Sequence, residues 1–151
     1  MPSIHVSPLT ATAVGPAGPP SKLTVSPYSD PSTTLLVTAK SLVSESDEQW
    51  VQLGLTVPGG ATIKGVVACY RVITTKPQST YISQTRLTEM TTPNVAIVRH
   101  DDPTKLTSTT PVCYTSKGSE FIVNGTITLA LKMVFGSTSD QILIGGLSLL
   151  T

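Results

Sequence analysis

An alternation of apolar and polar residues with a period of two runs through the chain from Trp50 to its C terminus. It is clearest near the end, where every second residue is large and apolar: Ile127, Leu129, Leu131, Met133 and Phe135. Side chains of a strand point alternately to its two faces, so this period places one apolar face on a sheet. No segment shows a convincing helical period, and the chain is therefore predicted to be all-β.

Turn residues divide this pattern into a series of short strands. The predicted strands are residues 33–43, 50–57, 61–75, 81–90, 95–98, 106–114, 121–123, 127–135 and 141–150. Asn124-Gly125 predicts a hairpin between residues 121–123 and the Ile127 strand, and Gly145-Gly146 predicts a bulge in the last strand. Strands of this spacing predict an antiparallel two-sheet β-sandwich, a jelly roll of about eight strands, with a closed barrel as the alternative.

One turn also resembles known proteins. The segment Val57-Pro58-Gly59-Gly60-Ala61-Thr62-Ile63 leads into a predicted strand. It resembles segments of jelly-roll domains in extracellular, lectin-like and phage or viral surface proteins. The resemblance spans a single hairpin and implies a jelly roll without selecting a family, so it assigns no functional residue.

The length and the N-terminal prolines predict how the chain is divided. A chain of 151 residues suits a single domain. Seven prolines lie within residues 1–31, and proline lacks the backbone N–H that a central strand needs. We therefore expect an extended Pro-rich arm over residues 1–31 and a single β-sandwich domain over residues 32–151. The arm is either disordered or docked along a neighbouring subunit, and its apolar residues favour docking.

Charge and hydropathy argue against several classes of function. The net charge is +1, and the lysines and arginines are scattered singly, so nucleic-acid binding is not expected. No signal-peptide pattern opens the sequence, and no apolar run is long enough to span a membrane. The expected location is the cytoplasm by default, or an assembled particle.

Two cysteines, Cys69 and Cys113, are too few for a disulfide scaffold. Each lies in an apolar, strand-like context and is followed by a tyrosine. Free cysteine is often buried, so two small core residues are favoured over a bridge between them.

The segment His100-Asp101-Asp102 is where a histidine meets carboxylates in the sequence. These groups are ligands for divalent cations, but a metal site usually needs more of them. A solvated turn before Pro103 explains the three residues equally well, so they are only weak candidates for a metal site. No helix follows either Gly-Gly pair to form a phosphate-binding loop, and no cofactor is expected.

No arrangement of residues predicts catalysis. The sequence lacks a Gly-x-Ser-x-Gly turn, and neither cysteine has a histidine near it in sequence. An enzyme on this fold would need His100 or Glu89 to line a pocket. Arg86 is expected to be structural and to pair with an acid at a sheet edge. The protein is therefore predicted to be non-enzymatic.

Aromatic residues supply the candidates for ligand binding. Sugar-binding sandwiches typically present aromatic rings with polar neighbours, although a tryptophan at the start of a strand is also typical of a core edge. The candidate residues for such a platform are Trp50, Tyr70, Tyr81 and Tyr114.

Two functions of different classes follow from these patterns. The leading hypothesis is a structural or assembly protein, a homo-oligomeric (dimeric or trimeric) jelly-roll surface subunit of a virion, tail or cell surface. It rests on the apolar Pro-rich arm, the low content of charged residues, 13%, and the absence of a catalytic pattern. The alternative is a carbohydrate-binding module whose partner is a glycan and which uses the exposed Tyr and Trp residues.

Overall fold

The structure, a computed structural model, describes residues 3–16 and 20–151. The described residues form two antiparallel sheets, which confirms the predicted all-β sandwich. In chain order the strands are β1 Ser3–Val6, β2 Thr12–Val14, β3 Leu23–Pro27, β4 Leu35–Ala39, β5 Trp50–Leu55, β6 Thr62–Ile73, β7 Tyr81–Thr92, β8 Val95–Asp102, β9 Val112–Ile122, β10 Thr126–Val134 and β11 Gln141–Leu150. Two short 3-10 turns, Pro8–Thr10 and Glu45–Asp47, accompany them. Within the described ranges, no helix is long and apolar enough to cross a membrane.

The two sheets have five strands each in their main order. Sheet A runs β3-β4-β11-β6-β9, and sheet B runs β2-β5-β10-β7-β8. Strand β1 also belongs to sheet A. It pairs with β11 on the same side as β4, so β1 and β4 pair with different parts of β11. Consecutive strands β9 and β10 lie in different sheets, so the chain crosses the sandwich between them.

The core is built from the inward side chains of the two sheets. In sheet B, Leu53, Leu129 and Leu87 are direct neighbours in register, and each is at most 3% exposed. In sheet A, Ile142 lies between Val37 and Val72 and is fully buried. Burying one such side chain contributes roughly 1.5–3 kcal/mol. The core therefore uses one face of each sheet and leaves the outer faces for other contacts.

The bulge in the last strand is confirmed. The register of β11 against β6 shifts between Ile144 and Gly146, so Gly145 has no partner residue in β6. The predicted hairpin at Asn124-Gly125 is wrong, because β9 and β10 on either side of it belong to different sheets. An Asn-Gly pair favours a tight reversal. It does not determine which sheet each flanking strand joins.

Two strand boundaries also differ from prediction. Leu106 makes only an isolated bridge to Ile82, and the strand predicted over residues 106–114 is instead β9, which begins at Val112. The turn predicted at Asp101 and Asp102 is wrong, since both residues belong to β8. At Asp101 and Asp102, pairing with the long strand β7 overrides the local turn signal.

The described part of the Pro-rich segment pairs within its own chain. Strand β1 pairs with β11, β2 with β5, and β3 with β4. These strands have only three to five residues each, and β2 and β3 are outermost in their sheets. Frequent proline keeps them short because each proline removes a ladder hydrogen bond. The division of the chain at residue 31 remains a prediction.

The expectation of two buried core cysteines is wrong. Cys69 of β6 and Cys113 of β9 lie opposite each other in register and form a disulfide, and Cys113 is exposed. The alternation in the sequence could not reveal this, because it does not say which strands are neighbours. Disulfides persist in oxidising compartments, so the bridge favours such a setting over the default cytoplasmic one.

Replacing both Cys69 and Cys113 with alanine is expected to lower the free energy of unfolding by about 2–4 kcal/mol. The bridge spans 44 residues of sequence, and opening it returns conformational entropy to the unfolded chain. Urea denaturation of the double variant beside oxidised wild type measures this difference. Equal unfolding free energies would contradict a stabilising bridge.

Candidate functional site

The outer face of sheet B carries a group of polar and aromatic side chains that neighbour one another in register. We call this surface the sheet B face. It is made by Trp50, Gln52, Gln84, Arg86, Asp101 and Lys132. Period-two alternation turns these residues outward while their neighbours in sequence fill the core.

Trp50 and Arg86 meet across the middle of this face. The guanidinium carbon of Arg86 lies 4.8 Å from the centre of the Trp50 ring. Trp50 is on β5 and Arg86 on β7, with β10 between them, so the two side chains reach toward each other over β10. Ala130, the β10 residue opposite Arg86, faces outward but is only 7% exposed, as expected if the larger side chains cover it. The contact holds the indole in a defined position.

Two carboxylates complete the arrangement around the ring. Glu48 accepts a hydrogen bond from the Trp50 indole N–H at 3.2 Å and pairs with Lys132 at 3.2 Å. Asp101 pairs with Arg86 at 3.3 Å and accepts a further hydrogen bond from Gln84. Arg86 thus pairs with an acid on edge strand β8, as predicted. Such exposed pairs contribute at most about 1 kcal/mol each, so their main effect here is to orient side chains.

The aromatic candidates separate into two groups. Tyr81 is half-buried on the outer side of β7, opposite Val134, and the Lys105 ammonium lies 5.1 Å from its ring centre. It shares the outer side of sheet B with Trp50. Tyr70 is buried, and its hydroxyl accepts a hydrogen bond from the backbone N–H of Ser108. Tyr114 donates to a carboxylate between the sheet edges. The four rings therefore do not form one platform.

The weak metal candidates do not converge on one point. Alternation along β8 turns His100 and Asp102 inward and Asp101 outward, toward Arg86. In residues 3–16 and 20–151, no group of three His, Cys, Asp or Glu side chains lies close enough to hold a metal ion. Adjacent positions in a sequence favour a shared site in a turn, but in a strand they face opposite ways.

The inward residues of β8 instead link the edges of the two sheets. Ser116 of β9 donates a hydrogen bond to Asp102 at 2.6 Å and lies 2.7 Å from Nε2 of His100. A hydroxyl has one proton, so His100 must donate from Nε2 to Ser116. Tyr114 also donates to Asp102, at 2.8 Å. We call these four residues the edge clasp. The serine donates its proton to Asp102 and accepts from His100, so the imidazole is not placed to take the serine proton, as it does in a Ser-His nucleophile pair.

Burial and hydrogen bonding shift two pKa values in the edge clasp. Burial alone would raise the pKa of Asp102, but hydrogen bonds from Ser116, Thr104 and Tyr114 outweigh it and hold this pKa at about 2. Burial lowers the pKa of His100, against the attraction of Asp102 and Asp101. The clasp therefore contains an ionised carboxylate over most of the pH range.

Glu89, the other residue that catalysis would need, has a structural role. Its side chain is fully buried, pairs with Arg99 at 2.8 Å, and accepts the backbone N–H groups of Asn124 and Gly125. Burial alone would raise the pKa of Glu89, but these hydrogen bonds and the guanidinium lower it. Glu89 thus stabilises the crossing from sheet A to sheet B and does not belong to the sheet B face.

Sequence reasoning did not identify four residues of this site, namely Gln52, Gln84, Lys132 and Glu48. The first three occupy outward positions of predicted strands, so alternation placed each on the correct side of its strand. The sequence pattern does not give the order of the strands in the sheet. That order places β5, β10 and β7 side by side and so brings these residues together.

Comparisons with known proteins find the sandwich but no sequence family. No protein-family model and no curated protein matches the sequence. The CBM22-1 xylan-binding domain of Paenibacillus barcinonensis Xyn10C has a TM-score of 0.57 at 9% identity, with 98% of this chain and 94% of that chain covered. The CBM22-1–GH10 modules of Clostridium thermocellum xylanase 10B, complexed with xylohexaose, have a TM-score of 0.53 at 16% identity. The match covers 97% of this chain and 27% of that chain. The mosquito-larvicidal Cry4Aa toxin of Bacillus thuringiensis has a TM-score of 0.52 at 12% identity. The match covers 98% of this chain and 23% of that chain.

These similarities show the fold. This chain spans only about a quarter of the xylanase and toxin chains, so it corresponds to one module of each. Of the structures named here, the two CBM22-1 modules are carbohydrate-binding modules, and they contradict the leading hypothesis of a homo-oligomeric surface subunit. That hypothesis was wrong because it took low charge and a missing catalytic pattern, which binding modules share, as signs of assembly.

Acidification tests the edge clasp. The carboxylate of Asp102 stabilises the folded state fully above its ordinary pKa of 3.8, and this contribution is lost as the pH falls toward 2. Wild type should therefore lose roughly 1–2 kcal/mol more stability than Asp102→Asn between about pH 5 and pH 2, a figure reduced for partial exposure. Urea unfolding of both proteins at several pH values measures this, and parallel pH profiles would contradict it.

Proposed function

We propose that this chain is a non-catalytic carbohydrate-binding module that binds its ligand on the sheet B face. The observation that carries the proposal is the position of Trp50, held by Arg86 in the middle of an outer sheet face and surrounded by amide and charged side chains. The CBM22 modules of similar fold support the same ligand class. Fold alone would not, since one sandwich hosts several functions.

The chemistry of the face suits a sugar. An indole ring offers apolar area to the C–H side of a pyranose while its edge remains polar. Gln52 and Gln84 carry amide groups that both donate and accept, which matches the dual character of a sugar hydroxyl. Further hydroxyls come from Thr88 and Thr128, which are opposite each other on β7 and β10. The site therefore combines stacking with several hydrogen bonds.

The charges of the face favour an uncharged saccharide. Arg86 and Lys132 are each paired with a carboxylate, Asp101 and Glu48 respectively. These pairs cancel, so the surface around the ring has little net charge to attract an acidic ligand. The other candidate groups, Glu89 and His100, are fixed by buried hydrogen bonds. We therefore propose binding without hydrolysis.

Calorimetric titration with xylohexaose and a panel of other neutral oligosaccharides tests the proposal. Trp50→Ala should weaken binding at the sheet B face at least tenfold, which corresponds to about 1.4 kcal/mol, because it removes the stacking surface. Gln52→Ala should weaken binding several-fold without affecting the core, since its side chain points outward.

Controls separate binding from folding. Thr38→Ala changes an outward residue of β4 on the opposite sheet and should leave affinity unchanged. Thermal melting of each variant shows whether it remains folded. Wild-type affinity and stoichiometry in both Trp50→Ala and Gln52→Ala would exclude the sheet B face, and no binding across the panel would refute a carbohydrate ligand.

A further inference from the structure

A groove of about 600 Å³ lies on the outer face of sheet A, on the opposite side of the sandwich from the sheet B face. Its floor includes the Cys69–Cys113 disulfide and Gly145. Tyr28 lines it near the outer edge of β4, and Val112 lines it at the start of β9. We call it the sheet A groove. Its volume is in the range of small-ligand sites.

A gap in the sheet shapes the floor of this groove. Strand β4 pairs with β11 only over residues 142–144, and β1 pairs with it only over residues 147–150. Neither strand lies beside Gly145 and Gly146, and the bulge leaves Gly145 without a partner residue in β6 as well. A second hollow of about 500 Å³ shares Gly145 and continues toward β1. The floor thus exposes Gly145 at a break in the strand pairing, where a ligand can approach the backbone closely.

Both walls of the groove are braced by hydrogen bonds. Two backbone hydrogen bonds close the loop that carries Tyr28. The N–H of Tyr28 donates to the carbonyl oxygen of Thr34 at 2.8 Å, and the N–H of Thr34 donates to the carbonyl oxygen of Pro31 at 3.2 Å. On the other side, Arg71 donates from Nε to the backbone oxygen of Thr109 at 3.1 Å. A site held in place before binding loses less entropy when it takes a ligand.

The lining includes two tyrosines, the buried Tyr70 and the more exposed Tyr28, together with two opposite charges. Tyr28 is half-buried, while Asp30 and Arg71 are exposed. Neither Asp30 nor Arg71 takes part in an ion pair among the described residues. A guanidinium donates and a carboxylate accepts, so together they match a ligand with many hydroxyls and no net charge. A tyrosine ring beside them supplies an apolar surface.

We propose that the sheet A groove is a second carbohydrate-binding site, specific for uncharged oligosaccharides, and that the module is bivalent. The ligand class rests on the proposed function, but the geometry of the groove does not depend on the sheet B face. The two sites lie on opposite outer faces, so one module bridges two saccharide chains. Linking sites in this way raises avidity without new contacts.

Gly145→Leu is expected to fill the groove without disturbing the fold. A side chain at Gly145 meets nothing within 4 Å of its Cβ position, and the backbone there is not left-handed. Gly59→Leu is the matched control, since it adds the same side chain to an open turn position outside the groove. Both variants should melt close to wild type because neither changes a core contact.

Calorimetric titration with xylohexaose, at a molar ratio that resolves stoichiometry, gives the decisive readout. Wild type and Gly59→Leu should bind two molecules per chain, Gly145→Leu and Trp50→Ala one each, and the double variant none. Tyr28→Ala should weaken the site that Trp50→Ala retains.

Other outcomes separate the two proposals. One site in wild type that is lost in Trp50→Ala and kept in Gly145→Leu would overturn the second site and leave the proposed function intact. One site lost in Gly145→Leu and kept in Trp50→Ala would support the groove and refute the sheet B face. Absence of binding by wild type to every neutral oligosaccharide tested would overturn both.

Discussion

Closure of two sheets over a single apolar core is the constraint on which the rest of this structure depends. A sheet has two faces, and the inner ones are used to exclude water. The edges must then be joined by other means, because strands at an edge have unpaired backbone groups. At one side the edge clasp connects Asp102 of sheet B to Ser116 of sheet A. At the other, the buried amide of Gln49, just before β5, accepts hydrogen bonds from Lys22 and Ser21, just before β3.

The use of the inner faces for the core explains why the most reactive residue types are structural here. Glu89 and His100 are the acid and the imidazole that sequence reasoning reserved for catalysis. Both lie on inward positions, where a buried polar group is costly unless it is hydrogen-bonded. Glu89 accepts hydrogen bonds from Arg99, Asn124 and Gly125, and Nε2 of His100 bonds to Ser116. The exposed side chains lie on the outer faces, and these are the side chains available for contacts with a ligand. Binding suits such surfaces better than bond-breaking chemistry, which needs an enclosed site.

The sequence predicts well which face of a sheet a side chain lies on, but it predicts poorly which residues lie beside it on other strands. Alternation placed Leu129 inward and Lys132 outward, and Gly145-Gly146 marked a real bulge. It could not reveal that Cys69 lies opposite Cys113, since pairing in register is a long-range property of the sheet. For the same reason Trp50 was identifiable as an aromatic candidate, but its contact with Arg86 across β10 was not. Signals for local turns failed where a long partner strand extended the pairing, as at Asp101.

The central claim is that Trp50 contacts bound carbohydrate, and the chain offers a direct probe of it. Trp50 is the single tryptophan, so the indole N–H of ¹⁵N-labelled protein gives one assignable NMR signal. Titration with xylohexaose and other neutral oligosaccharides should shift this signal saturably, because the ligand changes the surroundings of the ring and of its hydrogen bond to Glu48. An indole signal that stays fixed while other resonances report saccharide binding, or a spectrum that no saccharide changes, would contradict the account.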